Sequence, residues 1–150
     1  FQSYYVENLN QAIRQSGLDA FVNISGHYDD MPTLYAASDL VLAPSTRPEA
    51  FGRVAIEAQA MGKPVIASNH GGQRETVVDG ETGWLIEPGN AGDLADKIMR
   101  FLTISELERD KLGQGARHAV LARYTTALLQ QQTLDVYERV LANNSVGDSL

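Results

Sequence analysis

The 150-residue chain reads as an α/β protein, a Rossmann-like open parallel sheet flanked by helices. Two observations predict this. Short apolar runs at Leu40-Val41-Leu42-Ala43, Pro64-Val65-Ile66-Ala67 and Gly83-Trp84-Leu85-Ile86 alternate with stretches of helical spacing. The first run is continuously apolar, as a parallel strand buried on both faces requires, whereas a half-solvated antiparallel strand would alternate.

The elements follow in order. Tyr5, Leu9, Ala12 and Ile13 recur at helical spacing, and Ser16-Gly17 ends that first amphipathic helix, since glycine tolerates a left-handed cap. Phe21-Val22-Asn23-Ile24-Ser25 is rich in β-formers and predicts a short strand closed by Gly26. Asp30 then stands as N-cap of a short helix with Pro32 in its first turn. The strand at Leu40–Ala43 ends at Pro44. From Gly52, Val54, Ala55, Ala58 and Met61 fall at helical spacing up to Gly62, and a strand restarts at Pro64, completing one βαβ unit. A weaker repeat runs through a helix from about Gln73 to Val78 into the strand at Gly83–Ile86. Asn90 caps a helix carrying Leu94, Ile98, Phe101 and Leu102, and helical patterns continue to about Tyr124 and from Ala127 to Ala142. Residues 1–143 are expected to form one domain and 144–150 a disordered tail. Trp84 and the helical rows of Leu, Val and Tyr read as core.

Composition narrows the function classes. A net charge of −7 repels a phosphate polymer and offers no basic stripe, so nucleic acid is excluded as an expected partner. The absence of cysteine removes disulfides, thiolate metal sites and a cysteine nucleophile. No apolar run approaches the ~20 residues that span a bilayer, and the opening residues carry no signal-peptide pattern. The expected location is cytoplasmic. Because the chain starts at Phe1 and enters a helix at once, it is expected to be a fragment of something longer.

The chemistry concentrates between Glu49 and Glu57. In an open parallel sheet, ligands sit beyond the carboxyl ends of strands, where Ser45 to Phe51 forms a strand-end loop feeding a helix. The first turn of that helix, from about Phe51 to Val54, offers unpaired amides and the positive end of a helix dipole. Gly52 lets an anion such as a diphosphate approach the backbone. Glu57 stands about five residues into the helix, roughly 7–8 Å along its axis, too far to cap it but placed to accept two hydrogen bonds from a ribose diol. Glu49, just before the helix, can accept hydrogen bonds from sugar hydroxyls or stabilise positive charge developing at an anomeric carbon. Acids eight positions apart are common. The same residues also fit a bland assignment in which Glu49 favours the helix dipole, Glu57 is a solvated face and Gly52 a turn.

At these residues the sequence resembles the group 1 (family 4) retaining glycosyltransferases of GT-B fold, whose signature is a Glu-x-Phe-Gly-x-x-x-x-Glu-Ala block. Here the block reads Glu49-Ala-Phe-Gly-Arg-Val-Ala-Ile-Glu57-Ala58. Leu34-Tyr35 to Asp39, Pro44-Ser45, Ala60-Met61-Gly62-Lys63-Pro64-Val65-Ile66-Ala67, Gly71-Gly72-Gln73-Arg74-Glu75, Asp79-Gly80-Glu81-Thr82-Gly83-Trp84-Leu85 and Pro88-Gly89-Asn90 continue the likeness in order, over about Val6 to Leu102. Ordered motifs of this number are far more specific than one pair of acids.

The resemblance implies the C-terminal, donor-binding domain of a GT-B enzyme, lacking its first strand or strands. It further implies that Glu49 contacts the donor sugar as the catalytic residue, and that Phe51, Gly52, Arg53 and Val54 present backbone amides to sugar and phosphates while Glu57 holds the ribose. The loop around Gly26, with His27, Tyr28 and Met31, resembles the segment that holds the nucleotide base, and Gly71-Gly72 lies in a further strand-end loop open to base or sugar. Ala50 departs from the more frequent Pro or Ser. The basic pair that neutralises the diphosphate, and the N-terminal domain that binds the acceptor, have no counterpart before Phe1, so this chain alone is expected to be inactive. The implied reaction moves a sugar, with retention, from a nucleotide-diphosphate sugar to an acceptor hydroxyl on a glycan, lipid or small molecule, as in bacterial polysaccharide or lipopolysaccharide synthesis. Peripheral attachment of the full-length protein to the inner membrane face is open. The alternatives are a nucleotide-sugar binding module without activity and a GT-B-fold nucleotide-sugar epimerase.

No cofactor or essential metal is expected. His27, His70 and His118 are dispersed, without i, i+4 pairing, and Asp29-Asp30 lacks the spacing of a metal-binding acidic pair and fits helix capping better. His70 beside Gly71-Gly72 reads as a loop-surface histidine. No side chain stands as a nucleophile poised against a base, which gives a covalent intermediate no support.

Overall fold

The computed structural model describes residues 2–145. The chain divides between Met31 and Pro32 into two compact units.

In the first unit, helix α1 (Gln2–Gln15) closes at Gly17, whose φ of 66° is the left-handed conformation expected of a terminating glycine. The Leu18 amide returns to the Ile13 carbonyl at 3.0 Å. The strand predicted at Phe21–Ser25 does not form. The Phe21 and Val22 amides both donate back to the Leu18 carbonyl at 2.9 Å, so their donors are consumed in a turn, and no described residue of this unit forms a ladder with them. Phe21 is left 83% exposed.

Helix α2 (Met31–Ala37) follows directly after Asp30, and the second unit builds a three-stranded sheet from β1 (Val41–Ala43), β2 (Val65–Ser68) and β3 (Gly83–Ile86). The order is β1-β2-β3, every pairing parallel, in a register that aligns Leu42 with Ile66 and Ile66 with Trp84. Helix α3 (Arg53–Ala60) connects β1 to β2, and α4 (Gln73–Thr76) lies between β2 and β3. These are the parallel crossovers that the alternation of patterns predicts. Central β2 is buried throughout. In β1 the expectation of burial on both faces is corrected: Leu42 is 41% exposed, because β1 is an edge of this sheet.

Three helices follow, α5 (Ala91–Thr103), α6 (Glu106–Arg123) and α7 (Thr126–Ser145). The Asn90 side chain accepts from the Asp93 amide at 3.0 Å, the predicted cap of α5. Ser105 and Glu108 form a capping box at the start of α6, and the hydroxyl and amide of Ser105 hold the Glu108 carboxyl below its ordinary range. The main core joins Ile66, Trp84, Ile86 and Phe101, packed by Leu40, Leu94, Ile98, Ile104 and Leu112. Trp84 and Phe101 meet edge to face at 6.5 Å, and burial of side chains this large contributes roughly 1.5–3 kcal/mol each.

A second contact locks α3 against α6. Ala55, Ala58 and Ala116 are fully buried, and Gly113 sits so close to the Gly62 carbonyl that a Cβ there would overlap it. The Arg117 guanidinium donates to the free Ala60 carbonyl near the end of α3. Two helical expectations are corrected. Leu102 is 57% exposed, and every described side chain of α7 is exposed, so its Leu, Val and Tyr rows are not core. Helix α7 also runs through Ser145, past the predicted boundary at residue 143, and the rest of the predicted tail lies outside the described residues.

Candidate functional site

The loop after β1 and the loop after β2 both leave the carboxyl edge of the sheet, and between them stands the first turn of α3. Gly52 is the residue before the helix, with φ 76° and ψ 51°, and no side chain caps the helix from this position. The amides of Ala55 and Ile56 return to the Gly52 carbonyl at 3.1 and 3.3 Å, which leaves those of Arg53 and Val54 at the open positive end of the helix. A side chain at Gly52 would be strained by the positive φ, and its Cβ would lie 2.8 Å from Gln73 Cγ.

Each acid flanking this turn is held by hydrogen bonds. Glu49 accepts on Oε1 from the Ser45 hydroxyl and from Gln73 Nε2, the latter at 3.3 Å. Its main-chain carbonyl accepts from the Gly72 amide at 2.8 Å. Glu57 accepts on Oε2 from the Tyr35 hydroxyl at 3.1 Å, and on Oε1 from Arg53 Nε and Nη2 at 3.2 and 2.9 Å. Tyr35, only 5% exposed, has its phenol pushed up to about 12 by burial and by the Glu57 carboxylate it serves. Both carboxylates are thus pre-oriented, with lone pairs still available to a ligand.

The two glycines of the second loop are explained by the backbone beside them. A Cβ on Gly71 would overlap the Glu49 carbonyl, and one on Gly72 would overlap the Phe51 Cα, so the pair lets two main chains touch. Together with Glu49, Ala50, Arg74 and Glu75 they line a cavity of ≈ 570 Å³. Phe51 stacks edge to face on Tyr124 at 5.8 Å, and the Tyr124 hydroxyl donates to the Glu75 carbonyl at 3.3 Å, so the residue that ends α6 braces the Glu49 loop and α4. Another cavity, of ≈ 370 Å³, opens where Asp39 precedes β1 and Lys63-Pro64 precede β2, at the amino edge of the sheet. It lies away from the Glu49 loop.

Of the residues singled out in the sequence, Glu49, Phe51, Gly52, Arg53, Val54, Glu57, Gly71 and Gly72 all fall at this carboxyl edge. Arg53 has a side-chain role that the sequence reading missed, its clamp on Glu57. His27, Tyr28 and Met31 belong to the first unit, where His27 pairs with Asp29 at 2.9 Å and Tyr28 is 42% exposed. His70 has its Nε2 buried, which corrects the reading of it as a plain surface histidine. Sequence reasoning also missed Tyr35, Ser45 and Gln73 as partners of the acids. Only Ser45 carried a local signal, lying four residues before Glu49. Among the described residues, no three His, Asp or Glu side chains gather as a metal would need, and no helix is long and apolar enough to cross a membrane.

Comparisons with known proteins add independent findings. The family described as glycosyl transferases group 1 matches residues 3–119. Over 122 residues the chain is 36% identical to the lipopolysaccharide 1,2-N-acetylglucosaminetransferase of Salmonella typhimurium, a match covering 81% of this chain and 32% of that enzyme. HepE of Anabaena, solved in complex with UDP and glucose, is similar at a TM-score of 0.87 and 35% identity, over 92% of this chain and 37% of its own. The C-terminal domain of LpcC, a group 1 family protein of Francisella tularensis, is similar at a TM-score of 0.70 and 32% identity, over 81% of this chain and 63% of its own.

Proposed function

From a chain that belongs to the group 1 glycosyltransferases and has the fold of their C-terminal GT-B domain, we propose the donor-binding half of a retaining glycosyltransferase. The observation that carries this is the uncapped first turn of α3 set between two carboxylates, each already oriented by its own donors. A diphosphate receives the Arg53 and Val54 amides and the helix dipole, an interaction of roughly 0.3–1 kcal/mol for each favourably placed charge before direct hydrogen bonds are counted. Glu57 takes the ribose hydroxyls on lone pairs that Tyr35 and Arg53 do not use. Glu49 faces the sugar, accepting from its hydroxyls and stabilising positive charge as the anomeric bond to the diphosphate breaks.

On this reading the acceptor hydroxyl attacks from the face that the diphosphate leaves, and the departing phosphate oxygen takes the acceptor proton. No residue here is needed as a nucleophile. Because the chain spans 32% of the Salmonella relative and 37% of the HepE chain, the acceptor site and the transfer activity are assigned to the whole protein. A uridine nucleotide is the first donor to try, since HepE holds UDP. The amide turn, together with the basic pair that the resemblance implies in the whole protein, answers the diphosphate charge without a divalent cation.

The test is calorimetric titration of the chain with UDP, GDP and ADP, beside Glu57→Ala. One nucleotide is expected to bind, and Glu57→Ala to weaken it about tenfold, the loss of a charge-assisted ribose contact of ~1.4 kcal/mol. Unchanged affinity in the variant would remove the ribose assignment, and no binding by any of the three would remove the α3 turn as a site sufficient to hold the diphosphate.

A further inference from the structure

Gln73 is fully buried, yet its amide is only half satisfied: Nε2 donates to Glu49, and Oε1 is enclosed without a partner. A buried carbonyl without a hydrogen bond is unfavourable, and leucine or methionine would fill the same space without it. The unpartnered carbonyl therefore gives the fold nothing, and the one contact that requires an amide is the bond to Glu49. The orientation of that amide is fixed chemically, because an ionised carboxylate only accepts and so must face the NH₂ end.

We propose that Gln73 is a positioning residue for Glu49, and that it acts on recognition of the donor's sugar rather than its nucleotide. The inference rests on the donor-binding reading above. Gln73 Nε2 and the Ser45 hydroxyl both fall on Oε1, so the carboxylate is held through one oxygen, which leaves Oε2 as the oxygen for a sugar hydroxyl. The main chain is fixed in parallel, since the Gly72 amide, next to Gln73, donates to the Glu49 carbonyl at 2.8 Å. Gln73 also packs under the start of α3, its Cγ, N and Cα lying 2.8, 3.2 and 3.3 Å from where a Cβ on Gly52 would stand. One side chain thereby sets the direction of the sugar-facing acid relative to the amides that take the diphosphate. Glu57 is outside this arrangement, because its partners are Tyr35 and Arg53.

The separation gives a readout that a general packing defect would not produce. Affinities are measured calorimetrically for each nucleoside diphosphate and its sugar conjugate: UDP with UDP-glucose and UDP-N-acetylglucosamine, GDP with GDP-mannose, and ADP with ADP-glucose. Wild type is expected to bind one conjugate more tightly than its parent diphosphate. Gln73→Leu and Gln73→Met should keep the affinity for the parent within about twofold and lose most of the gain from the sugar, about tenfold, while Gln73→Glu, which sets a second carboxylate against Glu49, should lose all of it. Melting temperatures close to wild type for Leu and Met would accompany this, since removal of the orphan carbonyl offsets the lost bond to Glu49. Equal loss for diphosphate and conjugate would overturn the proposal by showing a structural role, and so would a full sugar gain in Gln73→Leu. Wild type binding a diphosphate but gaining nothing from any sugar would instead overturn the Glu49 assignment, and this inference with it.

Discussion

Replacing Tyr35 by phenylalanine removes one oxygen and leaves the ring in place, so its effect can be worked from the structure. The hydroxyl donates to Glu57 Oε2 at 3.1 Å from a residue only 5% exposed. A hydrogen bond to a charged acceptor contributes about 1.5–3 kcal/mol. Here the Glu57 side chain is 37% exposed and keeps its two bonds from Arg53 on the other oxygen, so water replaces part of the loss. A destabilisation of about 1 kcal/mol follows, read as a lower urea midpoint with unchanged m-value. Nucleotide affinity should fall roughly threefold to fivefold, because Glu57 gains rotamers that the ribose must then freeze. The same substitution has a signature at high pH. The phenol titrates near 10.0 in an unfolded chain and near 12 here. Because the folded value is raised, the stabilisation is complete below pH 10 and is lost as pH rises toward 12. Ultraviolet titration of the six tyrosines should show one phenol ionising last, and that step should vanish in Tyr35→Phe. Persistence of the late step, together with unchanged nucleotide affinity, would refute the account of how Glu57 is held.

Two further predictions follow from the same geometry. Gly72→Ala puts a methyl into the Phe51 main chain, so it should destabilise the fold by about 1–3 kcal/mol and weaken nucleotide binding, whereas full stability by urea unfolding would show that the two loops do not touch as described. Adding EDTA to the nucleotide titration should leave the dissociation constant unchanged, and a loss restored by Mg²⁺ or Mn²⁺ would contradict the assignment of the diphosphate charge to the α3 amides.

What the sequence disclosed depended on how local the determining contacts are. The Glu49–Glu57 block and the cap at Asn90 are properties of a few adjacent residues, as are the positive φ of Gly52 and the Ser105 cap, which the sequence reading does not include. Tyr35 and Gln73 reach their acids across 22 and 24 positions, separations closed only by the tertiary fold, so no spacing announces them. The predicted strand at Phe21–Ser25 failed for a related reason. β-Propensity marks a segment that could pair, but pairing needs a ladder, and in this unit the Phe21 and Val22 amides are taken by the Leu18 carbonyl. Periodicity likewise found α7 but not its surroundings: Leu129, Tyr137 and Leu141 repeat at helical spacing and are 65%, 63% and 66% exposed. In the sequence the Gly71-Gly72 pair reads as a loop open to base or sugar. It lines the cavity, but what makes glycine obligatory there is the Glu49 and Phe51 backbone.

The central claim is that the turn between Glu49 and Glu57 receives the diphosphate of a nucleotide sugar, and amide chemical-shift mapping tests it most directly. Titration of ¹⁵N-labelled chain with UDP should move the amides of Gly52, Arg53 and Val54 most, with smaller shifts at Glu57 and Gly71-Gly72. Largest shifts at Lys63 and Arg109, which line the cavity at the opposite edge of the sheet, would place the anion elsewhere and contradict the account.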